Sequence, residues 1–145
     1  MGLSRDLILV NPEKVKLRLG LPLKVILPRK TKKDKVFHLN KNVERNAHYT
    51  DYNKAKEIFT EALCNELADC GVVIEKPVCF LFTLYKKGKA VCDVGNYSIV
   101  EKFASDAIVK AGIIKDDNYK FVDGIFWCWG GFADKDNCVL EIIEL

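Results

Sequence analysis

The sequence predicts an α+β fold: a mixed, largely antiparallel sheet with two main helices packed on it. Three observations predict it. Two stretches carry helical periodicity, a dense β-branched and aromatic run separates them, and two further strand-like runs close the chain. With 145 residues, 49% hydrophobic and 30% charged, the chain has the size of one compact domain and enough apolar surface for a substantial core. A single domain over 1–145 is expected.

The elements follow in order. Residues 1–20 are apolar in patches without a clear period, which leaves them as an added strand or a dimer arm. "PLKVILP" (22–28) alternates like a strand, and the basic run "RKTKKDK" follows it. "VFHLNKNVERNAHYT" passes from a short strand into a polar loop. From Asp51 a helix is expected, because Ala55, Ile58, Phe59, Ala62, Leu63 and Leu67 recur at helical spacing and Gly71 supplies a stop. "VCFLFTLYKK" (78–87) reads as the central strand. A second helix carries Ile99, Phe103, Ala107, Ile108 and Ala111 on one stripe, with Gly112 just beyond its end. "IIKDDN" is expected to run back along that helix as a strand. "YKFVDGIFWCWG" and "NCVLEIIEL" are expected to form a closing hairpin across "GGFADKD".

Composition removes several function classes. No apolar run is long enough to span a bilayer, and the N-terminus lacks the order of a signal peptide, so a cytoplasmic protein without membrane partners is expected. Six cysteines contain no C-x-x-C pair and mostly lie in apolar runs, which reads as free, buried thiols rather than disulfides. His38 and His48 are too few for a tetrahedral zinc site. "KKGKA" lacks the first glycine and the hydroxyl residue of a phosphate loop, and "DKDNCVLEIIE" fails as a calcium loop at Cys138 and Val139. Trp127 and Trp129 alternate on one strand face and read as core or interface packing, with base stacking as the alternative.

The acids around the second helix carry more. Ser98, Lys102 and Asp106 share one helical line. If the chain reverses at Gly112, five extended residues to Asp117 cover about 16 Å, equal to about eleven residues of helix, which brings Asp117 level with Glu101 and Lys102. Asp93 enters from the loop before the helix. Carboxylates crowded in this way raise a pKa, gather hydrogen bonds or bind a hard cation, and oxygen ligation with room for water suits Mg2+ or Mn2+. Carboxylate-held Mg2+ beside a lysine is the equipment of phosphodiester hydrolysis. The plainer reading is that Asp93 caps the helix, Glu101 is a solvated charge, and Asp116 and Asp117 form a turn.

These residues also carry a resemblance. "DVGN" with Asn96, then Lys102, "DAI", "AG" and "DD" (Asp116, Asp117) resembles the core pattern of the RusA family of Holliday junction resolvases, D-x-D-N, a helical lysine, D-A-L, glycine and D-D. "LNKNVERNAHY" is similar to that family's polar N-x-x-R loop through Asn42, Arg45 and His48. Gly95 stands where the family has its second aspartate, and the interval from Asn96 to Lys102 is three residues longer than the familiar form. The insertion is close to one helical turn, so Glu101 is expected to return an acid to a similar face.

The resemblance implies a homodimeric, Mg2+-dependent endonuclease that makes paired symmetric nicks in four-way DNA junctions. Asp93, Glu101 and Asp117 are then the metal ligands, Lys102 stands near the scissile phosphate, and Asn96 and Asp116 support or assist. Arg29, Lys30, Lys32 and Lys33, with Lys35, form the strongest basic block, and Lys86, Lys87 and Lys89 lie just ahead of Asp93. With Asn42 and Arg45 they are the candidate DNA contacts, each phosphate contact adding to salt dependence. Two other functions fit the same residues: a branched-DNA binding protein that cleaves weakly, and a metal-dependent phosphohydrolase of small phosphates.

Overall fold

The computed structural model describes residues 11–145, and its organising element is the strand Val78–Lys86 (β4). Phe80, Leu81, Phe82 and Leu84 are all fully buried. Such an unbroken apolar run is what a strand covered on both faces requires. Antiparallel Asn137–Glu144 (β6) pairs along one side of β4 and parallel Val122–Phe132 (β5) along the other. Val15–Leu21 (β1) pairs antiparallel with β6, giving the order β1-β6-β4-β5. The sheet is thus mixed and largely antiparallel. Within 1–20, the added strand begins at Val15; the arm expected over the first residues lies outside the described ones.

The expected closing hairpin does not form. β5 and β6 never pair, because β4 lies between them. The connection over 133–136 instead crosses the end of β4 and is fastened there. Ala133 donates its amide to the Lys86 carbonyl at 2.8 Å, and the Asp136 carboxylate accepts from the Lys87 amide at 2.7 Å and from Lys86 Nζ at 3.1 Å. These bonds hold the passage over a strand that sequence proximity alone would have left out.

A second, two-stranded sheet pairs Lys24–Leu27 (β2) with Lys35–His38 (β3), so the basic run over 29–33 is the tip of a hairpin. The polar stretch after it is a short helix, Lys41–Asn46 (α1), and not a loop. Asn40 caps it, its Oδ1 accepting from the Val43 amide at 2.9 Å. The long helix Tyr49–Leu67 (α2) starts two residues earlier than expected because the His48 ring accepts from the Thr50 amide and caps it. Ala55, Phe59, Leu63 and Leu67 are its buried face, while Ala62 is exposed.

The third helix, Ser98–Lys110 (α3), packs on α2 through Phe103, which meets the rings of Tyr52 and Phe59 edge-on at 5.3 and 5.6 Å. One apolar cluster joins both long helices to β4, β6 and the β2–β3 hairpin. The β4–α3–β5 segment is the crossover that parallel pairing requires. Of the six free cysteines only Cys128 and Cys138 are fully buried and Cys70 is exposed, which corrects the expectation that most are buried. Burial pushes the Cys138 thiol up to about 12, so it packs as an apolar group. Among the described residues no helix is long and apolar enough to cross a membrane.

Candidate functional site

The site grows out of the two ends of α3. At its C-terminus Gly112, with φ +79, sits in the left-handed conformation that other residues avoid. The Gly112 amide donates to the Val109 carbonyl at 3.0 Å and the Ile113 amide to the Ile108 carbonyl at 3.2 Å, the paired closure that ends a helix and turns the chain back. Ile113 and Ile114 are buried, and the Ile113 carbonyl accepts from the Ile74 amide at 2.8 Å. The reversal is therefore anchored on both sides.

Beyond it the chain does not form the expected strand. Residues 113–118 follow bends, because Asp116 organises them locally. Its Oδ1 accepts from the Asp117 amide and its Oδ2 from Asn118 Nδ2, both at 2.8 Å. This is the turn chemistry open to a short acid. Asp116 thereby presents Asp117, which lines a cavity of about 290 Å3 together with Glu101, Lys102, Ser105 and Asp106. Phe80, Val122 and Ile125 form its apolar wall. The rise arithmetic had placed Asp117 level with Glu101 and Lys102, and the three line one pocket even though the returning segment is irregular.

Two residues beside this site are not among the expected catalytic or metal-binding ones. Asp106 shares the helical line of Lys102 and is paired at 2.6 Å with Lys56 of α2. Trp127 of β5 donates Nε1–H to Glu101 Oε1 at 3.0 Å, and its ring stacks on Phe82 at 4.7 Å with 12° between planes. Glu101 is thus held by an oriented donor and is not a free solvated charge. The advance signal for Trp127 was its place on an alternating strand, where packing is the favoured reading.

The N-terminal end of α3 is built differently. Asp93 is exposed and caps the 3-10 turn Val94–Tyr97: its Oδ1 accepts from the Gly95 amide at 2.9 Å, and its carbonyl accepts from the Asn96 amide at 3.0 Å. A Cβ at Gly95 would lie 3.3 Å from Asp93 Oδ1, so the glycine leaves this carboxylate its place over the turn. Neither Asp93 nor Asn96 lines the pocket of Asp117.

This bears on the expected metal. Among the described residues no group of three or more His, Cys, Asp or Glu side chains is placed to hold a metal ion, so Asp93, Glu101 and Asp117 do not form a complete three-carboxylate cage. With Asp106 engaged by Lys56, Glu101 and Asp117 remain as two carboxylates on a cavity of about 290 Å3. That arrangement fits Mg2+ or Mn2+ in the mode that uses one or two carboxylates with waters and a substrate phosphate. It does not fit a tightly resident ion.

The basic candidates fall into separate places. Arg29, Lys30, Lys32 and Lys33 are exposed on the β2–β3 tip, and Lys35 is held at 2.7 Å by Asp51 of α2. Asn42 and Arg45, three residues apart, lie exposed on α1. Lys87 and Lys89 are exposed beyond β4. Lys86 is half-buried, paired with Asp136 and 5.5 Å from the centre of the Tyr97 ring. Burial works against its charge, but Asp136 and Tyr97 outweigh that and raise its pKa. No protein-family model matches the chain, and no curated protein matches it.

Proposed function

We propose that this chain is a RusA-type, metal-dependent structure-specific endonuclease that resolves four-way DNA junctions by paired nicks in DNA recombination and repair. The observation that carries the reading is the convergence of Asp117, Glu101 and Lys102 on one pocket across a reversal of the chain. Carboxylates and an ammonium group lining one cavity of this size match the demands of phosphodiester hydrolysis, where an attacking water must be positioned and growing negative charge on the phosphate offset.

In this reading Glu101 and Asp117 would hold Mg2+ or Mn2+, which would supply an activated water and offset the charge growing on the phosphoryl oxygens. Lys102, exposed on the same pocket, would offer its ammonium group to that phosphate. Trp127 keeps Glu101 turned towards the pocket, and Asp116 does the same for Asp117 through the backbone. Two such sites in a homodimer would meet the two equivalent strands of a junction, since one isologous interface fixes their separation.

A second reading rests on Asp93. Its carboxylate is engaged at the 3-10 turn, outside the pocket, which favours a branched-DNA binding protein with weak cleavage. Purified protein incubated with a synthetic four-way junction and Mg2+ separates the two. The nuclease reading expects two nicked linear duplexes and complete inhibition by EDTA. Junction binding without nicking in Mg2+ or Mn2+ would leave the binding module, and hydrolysis of small phosphates without junction affinity would replace both.

A further inference from the structure

Lys86 and Lys87, two of the candidate DNA contacts, share a cavity at the far end of β4 that lies outside the acidic pocket. It encloses about 350 Å3 and is lined by Lys24, Lys86, Lys87, Lys135 and His38, with the buried Tyr97 beneath. Its two acids are Asp134 and Asp136. Asp136 is already engaged by Lys86 Nζ at 3.1 Å and the Lys87 amide at 2.7 Å. Three further ammonium groups therefore face Asp134 as the remaining acid, and the pocket carries a positive surplus.

The four lysines and His38 come from four separate parts of the chain. Lys24 opens β2, His38 closes β3, Lys86 and Lys87 end β4, and Lys135 rides on the 133–136 connection that crosses over it. The same fastening that defeats the expected hairpin thus delivers Lys135 to the pocket. The basic tip at 29–33 is not part of it.

We infer that this cavity is a phosphate-binding subsite for a nucleic-acid backbone, separate from the acidic pocket. The spacing supports one shared duplex. Phe80 lines the acidic pocket and Lys86 the basic one, and six residues of β4 separate them by about 20 Å. A duplex strand carries one phosphate per about 3.4 Å of axis, so about six base pairs reach from one pocket to the other. The inference rests on the nuclease reading for the identity of the ligand as DNA, but not for its being a phosphate.

The test uses the full chain carrying Lys24→Glu and Lys135→Glu, with Lys14→Glu and Lys54→Glu as a pair of equal charge change away from the pocket. Junction affinity is measured between about 50 and 200 mM salt. The pocket pair is expected to weaken binding at least tenfold and to make the log–log salt slope shallower by about two, against a smaller change for the distant pair. Equal effects of the two pairs, or none, would overturn the subsite. If the unaltered protein binds no junction, the nuclease reading fails first, and amide and side-chain NMR shifts on titration with inorganic phosphate decide the pocket by itself. Shifts centred on Lys24, His38 and Lys135 support it; their absence overturns it.

Discussion

The two ends of β4 contrast in how they gather charge. At one end, acids reach a pocket through local devices: a glycine-terminated helix, an aspartate-organised turn and a single indole donor. At the other, lysines from three distant segments meet because a connection is fastened across a strand end. The first arrangement fixes individual oxygens, as chemistry demands, while the second assembles a field, as attraction of a polyanion demands. Substitutions at the acidic end should therefore change rate, and those at the basic end affinity.

The largest effect that sharpens this contrast is at Lys102. Lys102→Ala is expected to lower the single-turnover nicking rate by about 100-fold, the scale of losing one charge-stabilising group, with junction Kd changed by less than threefold. Gel-based rates and binding isotherms on one preparation check both halves. Glu101→Gln is expected to follow it closely, and full activity there would remove Glu101 from the chemistry.

Trp127→Phe comes next. The ring keeps its stack on Phe82 but loses the donor to Glu101, so the rate should fall about tenfold while thermal unfolding shifts by the equivalent of about 1 kcal/mol. A variant with normal activity and lowered stability would make the bond purely structural.

Gly112→Ala should cost about 1 kcal/mol in denaturant unfolding, because a side chain is placed at φ +79. If the reversal delivers Asp117, its rate loss should exceed its stability loss.

The smallest effect is on pH. The Lys35 hydrogen bond is the main cause holding Asp51 below the ordinary carboxylate value of 3.8. Burial pushes Asp136 up, but the Lys87 amide and the Lys86 ammonium outweigh it, so this group also lies below 3.8. Groups depressed in the folded state stabilise above their unfolded pKa and lose that contribution as pH falls through the folded one. Stability should hold from neutrality to about pH 4 and decline below it, and Asp136→Asn should flatten part of that decline in urea midpoints taken across the range.

The elements legible in the sequence were those set by local pattern. The alternation of 22–28, the apolar density of 78–87 and the stripe of Ile99, Phe103, Ala107 and Ile108 each state their structure within a few residues. Asp117 was legible at longer range because Gly112 fixes the reversal and helix rise does the rest. The pairing of β5 was not, since an adjacent strand and a distant one have the same local pattern, and only the bonds of Lys86, Lys87 and Asp136 decide between them. Asp93 was misplaced for a related reason. Its side chain has a partner two residues away in the Gly95 amide, and a cap so near in sequence competes with any assembly across space.

The claim on which the account turns is that reversal after α3 makes Asp117 a reacting group and not a surface turn. Single-turnover nicking of a four-way junction by Asp117→Asn, with junction affinity measured alongside, tests it most directly. A rate at least 100-fold below that of the unaltered protein is expected, with affinity essentially retained. Nicking at the full rate by Asp117→Asn would contradict it.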